Sequence, residues 1–253
     1  NLSGAAVPDY LDAEGIENMM LLMSEKQSKL FKVPQAMRRA LLFPYSYGYV
    51  FMKKVYGKGG FDAANAILAD PPESTEQILH PEAFHANDVP DSVAFKVPAQ
   101  VLSLYRVAAE DVMGEFFIRI WLQEHIEGLE AYGAAAGWEG DWFFFLWPSS
   151  TEVGKGHIGR GVFMIVSKWE GAGEGGNCDA CEFFQALDKA VNQRWKPVKQ
   201  TAQEHLKIYR NFYKEWIILK RSADTVSYIE GLPSSLFPEP EEILEKITAT
   251  VQQ

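Results

Sequence analysis

Asp141-Trp142-Phe143-Phe144-Phe145-Leu146-Trp147 decides how this chain is read, because five aromatic rings and a leucine follow one another with no helical spacing. Bulky aromatic side chains suit a pleated strand. Side chains alternate across a strand, so an uninterrupted bulky run predicts that both faces are covered. Burial in the core is one way to cover them. A partner surface is the other, with Trp142, Phe144 and Trp147 as its candidate residues.

Downstream, Gly161-Val162-Phe163-Met164-Ile165-Val166-Ser167-Lys168-Trp169 reads as a second strand. It is expected to pair antiparallel with the first across the glycine-rich stretch Gly154 to Gly161. That stretch lacks a G-K-S/T ending and lies between two strands, so a hairpin connection is expected rather than a phosphate loop. The glycines from Gly171 to Gly176 form a further connection. Asp179 to Trp195 carries Phe183, Phe184, Leu187 and Val191 at helical spacing. Trp216–Leu219 and Val226–Ile229 read as a hairpin, and Pro238 to Val251 as a closing acidic helix.

Upstream of Gly137 the period is helical. Leu11, Met19, Leu22, Met23 and Leu30 mark an amphipathic helix from Tyr10 to Phe31. A second, from Met37 to Tyr56, contains Pro44 and ends at Gly57-Lys58-Gly59-Gly60, and a short third runs from Phe61 to Ala69. Residues 83–104 are punctuated by proline and read as an irregular crossing or short edge strand. Glu110 to His125 and Leu129 to Ala136 read as apolar helices. The expected class is α+β, a helical N-terminal part over 1–136 followed by an antiparallel sheet with packed helices over 137–253, the two forming one integrated unit.

Composition narrows the function. The chain has 253 residues, 47% of them hydrophobic, enough for a sizeable core. Its net charge of -10 argues against a nucleic-acid backbone as partner. No apolar run reaches the roughly 20 residues that span a bilayer, which leaves peripheral membrane association open. The start Asn1-Leu2-Ser3-Gly4 has no Met, so the true start is either processed away or left out; a processed, acidic start fits an extracytoplasmic compartment or organelle lumen, such as the thylakoid lumen. Cys178 and Cys181 form one C-x-x-C. A redox pair with a depressed thiol pKa is one reading, and buried or disulfide-linked cysteines the other.

The densest local constraint is Pro71-Pro72-Glu73-Ser74-Thr75-Glu76-Gln77-Ile78-Leu79-His80-Pro81-Glu82. The double proline stops what precedes it, Ser74 with Gln77 reads as a capping box, and Pro81 closes the turn. The elbow presents Glu76, His80 and Glu82, with Glu76 and His80 four apart on one side of a turn. His80, Glu82 and His85 have the side chains of a metal cluster, but their spacing crosses a proline.

The run PPESTEQILHPEAF, residues 71–84, resembles a signature of gluzincin-related zinc metallopeptidase-like proteins. Further pieces are similar in the same order: Glu14-Gly15, Phe43-Pro44-Tyr45 with Gly48 and Phe51, Gly59-Gly60, Gly114-Glu115, Ala135 to Asp141, Trp169, and Asp179-Ala180 with Glu182-Phe183. In that family an HExxH helix supplies two His ligands and a general-base Glu, and a Glu downstream completes the zinc site. The resemblance implies that Glu14 is that third ligand. None of the five histidines, His80, His85, His125, His157 and His205, lies in an HExxH, so this chain by itself holds no such zinc centre and no cofactor is expected in it. The expectation is a noncatalytic, peptidase-derived structural or binding subunit of a larger protein assembly. Its alternative is the downstream portion of an active zinc peptidase whose HExxH precedes residue 1.

Overall fold

The computed structural model describes residues 12–25, 33–150, 161–171, 178–195, 199–247 and 250–252. The chain divides into two compact units, Asn1–Val89 and Pro90–Gln253. Residues 90–136, which the sequence assigns to the helical part, thus belong with the sheet. The fold is α+β.

In the first unit, α1 (Ala13–Glu25) starts where the Asp12 carboxylate accepts from the Gly15 amide at 2.7 Å. The rest of the helix predicted over Tyr10 to Phe31 lies outside the described residues. Helix α2 (Gln35–Ala69) is two helical segments joined at Gly59 and Gly60. Gly60 has φ +62°, ψ -145°, a region open essentially to glycine, so the predicted break falls there. Pro44 sits inside the first segment, where it removes one backbone donor. Phe43, Tyr47, Phe51 and Val55 recur every four residues on its buried face. Glu17 is fully buried in α1, and the Arg39 Nη1 of α2 donates to its Oε2 at 3.0 Å.

The elbow forms α3 (Thr75–Leu79) and α4 (Pro81–Ala86). Ser74 Oγ accepts from the Gln77 amide at 3.2 Å, the first half of the capping box. The reciprocal bond reaches one residue further back, with the Glu73 amide donating to Gln77 Oε1 at 2.8 Å. Gln77 Nε2 also donates to the Asp88 carbonyl, which ties the elbow to the segment that follows α4. Pro81 ends α3 by opening α4 at its first position, where a missing amide costs nothing.

The second unit is built on a seven-stranded antiparallel sheet of order β2-β3-β4-β8-β7-β6-β5. The strands are β2 (Tyr105–Asp111), β3 (Trp138–Pro148), β4 (Val162–Trp169), β5 (Lys199–Gln203), β6 (Leu206–Arg210), β7 (Glu215–Ser222) and β8 (Thr225–Pro233). The two strands read first do pair antiparallel, with Trp138 opposite Trp169 and Phe144 opposite Met164. Helices α6 (Gly114–Gln123), α7 (Gly128–Ala135) and α8 (Asp179–Trp195) cover one face. Ile118, Leu122, Phe183 and Leu187 meet Trp138, Ile165, Ile217 and Tyr228 there. A second core on the other face gathers Phe144, Leu146, Met164, Val166, Ile218 and Ile229. It is closed by Val93 of β1 (Ser92–Ala94), Val101 of α5 (Ala99–Leu102), and Ile243 and Leu244 of α9 (Pro240–Glu245). Neighbouring residues on the central strands therefore feed opposite cores, which is why these strands read as unbroken apolar runs.

Four expectations change. Residues 105–111 are a strand, and the helix predicted from Glu110 begins at Gly114; β2 is an edge strand exposed after Tyr105, so it has no apolar alternation to read. Residues 199–210, unassigned in the sequence reading, are the hairpin β5–β6. The β7–β8 hairpin extends through Ser222 and Thr225, leaving Ala223 and Asp224 as the turn. The helix predicted over Pro238 to Val251 is the short α9, and residues 250–252 form β9 (Thr250–Gln252), paired with β1. The expected connections at 154–160 and 172–176 lie outside the described residues.

Candidate functional site

The Gly137-Trp138-Glu139-Gly140-Asp141 stretch is the point where the second unit is tied together. Asp141 is 2% exposed, and its two carboxylate oxygens accept three hydrogen bonds. Oδ1 takes the Met113 amide at 2.8 Å. Oδ2 takes the Gly114 amide at 2.9 Å and Trp138 Nε1 at 2.8 Å. The carboxylate thereby caps α6 from a distant strand and faces the positive end of its dipole. Burial pushes its pKa up, against the lowering effect of the three donors. Gly140 lets the backbone of Asp91 cross the strand, since a Cβ there would lie 2.3 Å from the Asp91 carbonyl oxygen. Lys168 on β4 pairs with both Asp91 and Glu139. Burial alone would lower the Lys168 pKa, but the hydrogen bonds its ammonium donates to both carboxylates, with their charges, outweigh it and hold the pKa above its ordinary value. Gly137 has φ +74°, and a Cβ on it would strike the Asp179 carboxyl at 2.6 Å. Every residue of this run is thus explained by architecture.

A second polar group lies under α8. The Tyr228 hydroxyl donates to Glu230 Oε2 at 2.6 Å, and Arg194 Nη1 donates to the same oxygen at 3.0 Å. Burial, then the Glu230 charge, holds the Tyr228 hydroxyl well above its ordinary pKa. His125, lowered by burial and by Arg194, lines the same space. The cavity between them measures about 10 Å³, room for one water and no substrate. Tyr228 and Glu230 sit two apart on β8, while Arg194 comes from α8 and His125 from the turn after α6, so no local sequence pattern joins all four.

The residues singled out in the sequence scatter. Glu14 is half-buried in the first turn of α1. Glu76 is 8% exposed on α3, while His80 and Glu82 are solvent-accessible, with Nδ1 of His80 3.9 Å from Oε1 of Glu82. Among the described residues no three His, Cys, Asp or Glu side chains converge to hold a metal ion. Of the aromatic trio, Phe144 is taken up by the core, its ring edge-on to Phe95 at 5.0 Å. Trp142 packs partly buried against the same core, and Trp147 at the strand end is 38% exposed. A disulfide joins Cys178 and Cys181.

The surface that stands out is on α2. Met37, Leu41, Tyr45 and Tyr49 follow at four-residue steps, with Tyr56 seven further on, and all are exposed, Tyr45 at 67%. Four-residue steps stay on one side of a helix, so these five form a stripe opposite the buried Phe43-Tyr47-Phe51-Val55 row. Both rows follow helical period, and packing decides which is covered. No helix among the described residues is long and apolar enough to cross a membrane.

Comparison with known proteins finds no match among curated proteins and none among solved structures. A family model does match, over residues 102–238, just over half of the chain. The matched segment includes the Gly137–Asp141 stretch, Trp169 and α8, and leaves the elbow and Glu14 outside it. The chain belongs to that family, described as Domain of unknown function (DUF8575).

Proposed function

We propose that the chain is a noncatalytic, peptidase-derived binding subunit of a larger protein assembly. The exposed stripe Met37-Leu41-Tyr45-Tyr49-Tyr56 on α2 carries this reading. Apolar and aromatic residues contiguous on one helical face mark protein contact surfaces, and tyrosines combine apolar area with a polar tip at the rim. Support for the descent comes from the metallopeptidase-like motifs of the sequence, of which the Gly137–Asp141 run has kept an architectural role without any histidine ligand.

The test is the native size of the chain in its source, by tagging at native abundance followed by light scattering and mass analysis. A stoichiometric protein complex is expected, and the double substitution Leu41→Asp with Tyr45→Asp should dissolve it while leaving the unfolding transition of the chain unchanged. A chain that stays monomeric at native abundance refutes the reading. Stoichiometric zinc with peptide cleavage, and an HExxH upstream in the native protein, would establish the active peptidase instead.

A further inference from the structure

The Cys178–Cys181 bridge ties together very little. Its cysteines are three apart at the head of the 17-residue helix α8, and the Cys178 carbonyl already accepts from the Cys181 amide at 2.8 Å and the Glu182 amide at 3.0 Å. It spans no loop and joins no second element. The helix is seated independently, by Phe183, Phe184, Leu187 and Val191 in the core and by the Phe183 ring stacked on Trp169 at 4.2 Å. A bridge that is redundant for the fold is free to open without unfolding it.

Its surroundings suit exchange. Both cysteines are half-buried, so solvent reaches them. Cys178 immediately precedes α8, where unpaired amides and the helix dipole favour a thiolate. Cys178 also packs against the core, whereas Cys181 is not among the side chains packed there. Beginning at Glu182, the next residue after Cys181, an open groove of about 460 Å³ runs between α7 and α8, floored by Gly133, Ala134 and Ala186.

We infer that Cys178–Cys181 is a thiol–disulfide exchange site whose co-reactant is a dithiol. A thiolate of the dithiol attacks Sγ of Cys181, the Sγ–Sγ bond breaks, and Cys178 departs as the thiolate favoured by the helix end. The second thiolate of the dithiol then attacks the dithiol sulfur of the mixed disulfide and releases Cys181. Two electrons and two protons pass to the chain, and the dithiol leaves as its own disulfide. In reverse, the reduced chain transfers the same electrons to a disulfide.

The test follows opening of the bridge in the full chain by dithiothreitol, natively and in urea, together with near-UV circular dichroism of the tryptophans. Native opening within about tenfold of the rate in urea is expected. The reduced chain should keep its near-UV spectrum and re-form the bridge with oxidised glutathione. Opening only in step with unfolding, or loss of the near-UV spectrum on reduction, overturns the inference. Acid-quenched reaction with reduced glutathione should place the adduct on Cys181; an adduct on Cys178 overturns the assigned direction. A thioredoxin-type protein reacting faster than dithiothreitol at equal dithiol concentration would assign the dithiol to a protein, and equal or slower reaction to a small molecule, the site standing in both.

Discussion

Replacing Asp141 with alanine removes the acceptor for three donors at once, the Met113 and Gly114 amides and Trp138 Nε1. Each donor left buried without a partner costs about 1–3 kcal/mol, a gross loss of roughly 3–9 kcal/mol. Part of this is offset, because the substitution also relieves the burial of a carboxylate, whose raised pKa shows that burial outweighs the donors. A net loss of about 3–5 kcal/mol is expected, in the range that breaking a buried polar network produces. For a unit of this size that lowers Tm by about 6–20 °C. Thermal unfolding followed by circular dichroism reads the shift, and amide exchange reads its location, with the Met113 and Gly114 amides losing protection before the β7–β8 ladder. Asp141→Asn keeps one acceptor oxygen and should fall between wild type and alanine. The carboxyl pKa is raised on folding, so the folded chain binds more protons and this group's contribution falls as pH rises through its folded pKa. The gap between wild type and Asp141→Ala should therefore narrow as pH rises from about 4. A Tm within about 2 °C of wild type, or unchanged protection at Gly114, would refute the assignment of Asp141 as the cap of α6.

Gly140→Ala places a methyl 2.3 Å from the Asp91 carbonyl oxygen, so the crossing must shift; stability should drop by more than about 2 kcal/mol, with exchange rising first in β1. Lys168→Met leaves the Asp91 and Glu139 carboxylates facing each other and should cost about 2–3 kcal/mol, read by urea unfolding. Burial and then Glu215 push the Tyr105 hydroxyl up to about 12. Because its folded pKa lies above its ordinary value of 10, this contribution is intact below pH 10 and is lost as pH rises toward 12, and Tyr105→Phe should flatten that alkaline limb. Replacing both cysteines with serine should cost no more than about 2 kcal/mol by chain entropy, the ring being so small.

The sheet's centre was legible because its strands are buried on both sides, so Trp142–Trp147 and Val162–Val166 announce themselves without alternation. Its margins were not. Strand β2 is exposed from Arg106 onward, and its place is set by backbone bonds to β3, which leave no trace in hydrophobic spacing. The Ser74–Gln77 cap and the Gly59–Gly60 break were legible because each depends on local backbone chemistry alone. The role of Asp141 was not legible, because it rests on Met113 and Gly114, 28 and 27 residues upstream. Helical period shows that Leu41, Tyr45 and Gly48 share a side, but not whether anything lies against it.

The sheet order also fixes a problem of timing. Strand β4 ends at Trp169, yet the strand that covers its free side, β8, begins at Thr225. A ribosome adding about 5–20 residues per second leaves β4 uncovered for several seconds after it emerges. Its apolar row, Phe163-Met164-Ile165-Val166, is then an open template beside another aromatic strand. The nascent chain is thus most prone to self-association before β8 appears, and a stall or truncation between residues 170 and 225 should yield insoluble product while full-length chains stay dispersed.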